Sequence, residues 1–92
     1  MKDLEVWAIE WNDHCSNDDW TNRDSYKTSI VKAVSVGILI GQDKEAVTLS
    51  LNWDKTNDNV SCSMNILKKC ITRSVRLCRL MDLKDMRQRR LK

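Results

Sequence analysis

What this chain lacks narrows its chemistry before anything it contains is considered. It has no proline and no phenylalanine, two glycines and one histidine in 92 residues. Two glycines cannot build most phosphate-cradling loops or a nucleophile elbow, and no paired acid–base carboxylate motif is present. The reading is therefore of a protein that is not an enzyme. No apolar run approaches the ~18 residues of a membrane span. Cys15, Cys62, Cys70 and Cys78 show no Cys-x-x-Cys spacing, and the lone His14 is remote in sequence from three of them. A structural zinc site lacks its usual signature, and Asp13, Asp18 and Asp19 lack the spacing of a calcium loop. No metal and no cofactor is expected.

His14 and Cys15, with Asp13 beside them, form the only place for nucleophilic chemistry, since a thiolate needs a nearby imidazolium and an orienting group. Sequence neighbours seldom aim their side chains at each other, so the histidine reads as a surface loop residue. The start of the chain, Met1-Lys-Asp-Leu-Glu-Val-Trp7, shows no basic segment followed by an apolar run. The expectation is reduced thiols in a cytoplasm, with the sequon Asn59-Val60-Ser61 idle.

What is present is dominated by alternation. Val47, Leu49, Leu51 and Trp53 alternate with Ala46, Thr48, Ser50 and Asn52, the period-2 signature of a strand with one buried face. The run from Ile30 to Gly41 carries apolar residues on both parities, which predicts cover on both faces at its centre. Leu4 to Trp11 is a first strand, again apolar on both sides, and implies a strongly curved sheet or a second covering layer. Val60, Cys62, Met64 and Ile66 alternate in a fourth strand, with Cys62 read as a small core residue. Leu67 to Cys70 reads as one tight turn and Ile71 to Leu77 as a fifth strand. A helical stripe through Leu67, Cys70, Ile71, Ser74, Val75, Cys78 and Met81 is the competing reading for that region. Leu80 to Leu91 consists mostly of good helix formers. The polar stretch from Asn12 to Ser29 is a long first loop, of the kind that is often functional. A capping pattern at Ser16–Asp19 predicts a short helix near residues 17–24, anchored by Trp20.

Five short strands, with Gly37 placed for a sharp bend, make a small mainly β barrel. Residues 1–78 form the barrel and residues 79–92 a basic C-terminal helix or tail. The segments Trp11-Asn-Asp13, Asp19-Trp20, Val34-Ser-Val-Gly-Ile-Leu-Ile40, Ala46-Val-Thr-Leu-Ser50 and Ile66-Leu-Lys-Lys-Cys-Ile71 resemble small uncharacterised phage and prophage proteins with SH3-like or Sm-like barrels. The resemblance covers roughly residues 6–77 and carries no known catalytic motif. It departs from that pattern at Leu67, where proline is expected. It implies a phage-encoded accessory protein of the host cell cytoplasm that modulates or counters a host system.

Charge is divided along the chain. From residue 68 onward there are ten basic and two acidic residues, a balance of +8, while residues 1–67 hold six basic and eleven acidic, a balance of −5. That asymmetry points to an anionic partner or to the acidic body of another copy. Exposed sheet edges also invite self-association, so a homo-oligomer is expected. Three binding classes follow. Trp20, Arg23, Tyr26 and Lys27 could stack on the base and hold the phosphate of a small nucleotide-like ligand in a pocket between protomers, with Trp11 also flanking the loop. Arg73, Arg76, Arg79, Arg87, Arg89 and Arg90 could neutralise the phosphates of RNA or DNA. The barrel edge or the 80–91 segment could dock on a host protein. Trp7 and Trp53 fall on strand faces and read as core, and the apolar face of the tail is too short for membrane contact.

Overall fold

The computed structural model describes residues 3–13 and 20–91. Their elements are β1 (Glu5–Asp13), β2 (Val31–Gln42), β3 (Ala46–Asp54), β4 (Asn59–Leu67) and β5 (Ile71–Arg79), with 3-10 segments at Arg23–Ser25, Lys68–Cys70 and Leu80–Asp85. All five strands lie in one antiparallel sheet in the order β4-β3-β2-β1-β5. The sheet is open, with β4 and β5 as its two edges. Residues 67–79 thus resolve as turn and strand rather than helix. Leu67 enters the turn at φ −66° and ψ 129°, the φ a proline would impose, so leucine supplies there what the proline-bearing pattern supplies by ring closure.

One strand organises the rest. β2 pairs with β1 through Val31–Leu39 and with β3 through Ile38–Gln42. Only Ile38 and Leu39 serve both ladders. A bulge between Leu39 and Gly41 bends the strand there, as bulges do. The curl brings β3 across Gly37, where an added Cβ would lie 3.0 Å from the Ser50 carbonyl oxygen and 3.2 Å from Leu49 Cβ. Gly37 is therefore required by a close approach of backbone. Across the concave face the curl also carries Ser35 of β2 to Met64 of β4, with Ser35 Oγ donating to Met64 Sδ at 3.7 Å.

The concave face holds a small core of Ile9, Val47, Leu49 and Ile66, flanked by Trp7, Trp11, Leu39 and Ile71. Ser50 is buried with them, its hydroxyl within reach of the carbonyl oxygens of Asn52 and Ser61 at 2.8 and 2.7 Å. The convex face is different. Val34 and Val36 are 65% and 54% exposed, so this parity of β2 is bare over its first half and half-buried only at Ile38 and Ile40, rather than covered at its centre. Sequence alternation could not distinguish a covered face from an uncovered one, because it reports polarity and not what lies opposite.

Two further expectations are corrected, and a third falls partly outside the described residues. Cys62 is exposed and has φ 57°; the strand turns the side chain out of the core at that point, leaving Ile66 as the only fully buried residue of β4. The 80–91 segment is a 3-10 turn over Leu80–Asp85, and residues 86–91 carry no regular structure. Short isolated helices are marginal without a packed face, and Met81, Leu83 and Met86 are all exposed. In the first loop, the Ser16–Asp19 cap and the start of the expected helix lie outside the described residues. The described part holds only the 3-10 turn Arg23–Ser25, capped by Asn22 Oδ1 accepting from the Asp24 amide at 2.9 Å.

Candidate functional site

Residues 20–30 are exposed without exception. Trp20 is fully accessible at 104%, and Tyr26 is half exposed. Arg23 opens the 3-10 turn and Tyr26 closes it in extended geometry at φ −73°, its amide donating to the Arg23 carbonyl at 3.4 Å. Lys27 follows on the same exposed stretch. The turn brings Arg23 and Tyr26 together through their backbones, and it leaves two aromatic rings, a guanidinium and an ammonium facing solvent along eight residues.

Trp11, the other tryptophan beside this loop, is committed elsewhere. Its ring packs on the core and its Nε1 donates to Ser35 Oγ at 3.0 Å. Trp7 likewise packs on the core, with Nε1 donating to Glu5 Oε1 at 3.1 Å. Trp53 is half-buried near the end of the β3–β4 hairpin, and its Nε1 donates to Asp58 Oδ1 at 2.8 Å. Of the four tryptophans, only Trp20 has neither a packing surface nor a hydrogen-bond partner among the described residues.

The basic residues separate into two groups. Arg76 Nη1 donates to Glu5 Oε2 at 3.1 Å, and Arg79 makes a two-bond fork to Asp82, Nε to Oδ2 at 3.1 Å and Nη2 to Oδ1 at 2.9 Å, with Asp3 at 3.8 Å. The indole hydrogen bond of Trp7 and then the Arg76 guanidinium hold the Glu5 carboxyl below its ordinary range. Arg79 does the same for Asp82. Arg73 is exposed on β5, and Arg87, Arg89 and Arg90 are exposed beyond Met86 with no ion pair among the described residues. Arg73, Arg76 and Arg79 thus lie along β5, while Arg87, Arg89 and Arg90 lie in the irregular segment beyond it.

Of the cavities along the sheet, two have mainly apolar walls. One of about 550 Å³ lies between the end of the β3–β4 hairpin and the segment after β5, lined by Leu4, Trp53, Leu80 and Leu83 with Lys55 and Lys84. Sequence reasoning missed it, because its walls come from chain regions whose nearness follows only from the folded sheet. The other, about 280 Å³, is the mouth of the concave core beside Trp7, Leu39, Val47 and Ile71. Among the described residues no group of three His, Cys, Asp or Glu side chains converges. His14 and Cys15 lie outside the described residues. No helix of the described residues is long and apolar enough to cross a membrane. Comparison with family models, curated proteins and solved structures found no match.

Proposed function

We propose that this chain is a non-enzymatic, phage-encoded accessory protein that captures a small anionic, nucleotide-like ligand in the host cytoplasm and thereby counters a host system. The observation that carries the reading is Trp20. A chain that gives its other three tryptophans a packing surface or a hydrogen-bond partner leaves this one wholly in water, followed by Arg23, Tyr26 and Lys27. An indole face accepts a base without regard to sequence, and a guanidinium forks onto phosphate oxygens. A second copy of the chain supplies the missing wall of such a site, consistent with the opposite charge of its two portions. The contact from Ser35 to Met64 across the concave face supports an SH3-like or Sm-like barrel as the scaffold.

The test is mass spectrometry of the small molecules released when the purified protein is denatured, with Trp20→Ala and Arg23→Ala prepared in parallel. A discrete nucleotide at near-stoichiometric yield, lost in both variants while the far-UV spectrum is kept, supports the reading. Equal yield from the variants removes the site.

Arg87, Arg89 and Arg90, exposed and without an ion pair among the described residues, favour a second reading, in which these residues with Arg73, Arg76 and Arg79 hold RNA or DNA. It predicts heterogeneous oligonucleotide on release and binding that weakens steeply with salt.

A further inference from the structure

The area of this chain exceeds what a closed domain of its mass should show. Its accessible surface is 8338 Å², against about 5,500 Å² for a folded monomer of 10.8 kDa. Part of the excess belongs to the exposed loop and tail, but the two sheet edges and their apolar neighbours also contribute.

The two edges are not alike. β5 carries Arg73, Arg76 and Arg79, the kind of charge that blunts an edge against pairing. β4, by contrast, has neither a charged residue nor a proline from Asn59 to Leu67. Its open side can be read from the ladder. Lys68 N–H donates to the Glu45 carbonyl at 2.8 Å, while the Ala46 carbonyl accepts from Asp43 on the β2 side. Bonded and non-bonded pairs alternate in an antiparallel ladder, so Ile66 and Met64 bond to β3, and the N–H and C=O groups of Leu67, Asn65 and Ser63 face outward. Beyond Ser63 the edge is interrupted. Cys62 has φ 57°, and the Ser61 carbonyl accepts from Ser50.

We propose that the Ser63–Leu67 edge is the self-association site, pairing antiparallel with the same edge of a second copy about a two-fold axis at Asn65. Asn65 then lies opposite Asn65 and Ser63 opposite Leu67, joining two five-stranded sheets into one. The occupant is another β4 rather than β5, because a neutral strand has no carboxylate to offer the β5 arginines, whereas two neutral strands pair without burying charge. Met64 and Leu67, 45% and 46% exposed, gain cover from the partner. The pairing goes beyond the ligand reading and does not require it.

The experiment is native mass and sedimentation of the full chain, without added ligand, across ~1–100 μM, a range spanning the μM affinities of modest interfaces. Wild type is expected at twice 10.8 kDa. Asn65→Lys places two ammonium groups face to face on the axis and is expected to give the monomer mass with an unchanged far-UV spectrum. Leu67→Pro suits the φ of −66° and deletes one outward N–H twice per dimer; it should raise the dissociation constant roughly tenfold or more, and it decides the matter if the lysine variant fails to fold. A wild-type chain that is monomeric throughout overturns the proposal. So does a dimer that survives both β4 substitutions but is lost in Val75→Lys, which would assign association to β5.

Discussion

Gly37 and Gly41 sit four residues apart on one strand, yet they answer different demands. A methyl at Gly37 meets the Ser50 carbonyl and Leu49 Cβ, while one at Gly41 meets nothing within 4 Å. Gly37→Ala should therefore lower stability by about 1–3 kcal/mol through overpacking, seen as a lower urea midpoint. Gly41→Ala should leave the midpoint unchanged or raise it slightly, since alanine costs less chain entropy and neither glycine has positive φ. Ile66, 1% exposed, is the core residue through which β4 is held; Ile66→Ala should cost about 2–5 kcal/mol. The sequence singled out Gly37 for a sharp bend, whereas the bulge lies between Leu39 and Gly41 and Gly37 serves a close approach; it placed Ile66 in the alternation of the fourth strand. It misjudged Cys62 because alternation carries no information about a single residue with positive φ.

At the scale of elements, the turns are held by carboxylates. Asp43 Oδ1 accepts from the amides of Glu45 and Ala46 at 2.7 and 2.8 Å, and Asp54 accepts from Asn57 and the Thr56 amide at 3.0 Å each. These bonds hold both carboxyls below their ordinary value of 3.8. A depressed folded pKa means stability that is complete above pH 3.8 and lost as pH falls through the lowered value. Acid titration should thus weaken the β2–β3 and β3–β4 connections below pH 3.8, alongside the Glu5 and Asp82 pairs. Asp43→Asn should flatten that part of the pH–stability profile, whereas an unchanged profile would exclude Asp43 from the transition. Strands and turns were legible because their signals are local: alternation, and Asn or Asp at reversals. The C-terminal helix was misread because helix propensity is a weak prior without a surface on which to fold.

At the scale of the molecule, the radius of gyration is 17.1 Å, where a compact chain of this length has about 12 Å. The exposed loop from Trp20 and the residues after Met86 are both candidates for binding, and they make opposite predictions. Removing residues 86–92 should leave nucleotide capture by Trp20 and Arg23 intact while reducing the salt slope of any nucleic-acid binding. Binding of nucleotide that disappears with the tail would join the two regions into one site. None of the cavity between Trp53 and Leu83 was legible, since it depends on how far β3 and β4 run past β2. The charge division was legible, and the geometry spreads it over strand, turn and tail.

The two ladders of β2 share only Ile38 and Leu39, and that splice has a consequence for how the molecule opens. One unit is β1 and β5 with the first part of β2; the other is the β3–β4 hairpin with its last part. Amide hydrogen exchange should resolve two cooperative groups with separate opening free energies, and the amides of Ile38 and Leu39, which point to opposite sides of β2, should divide between them. A chain of this size would then breathe in halves, with Ile38 and Leu39 as the seam.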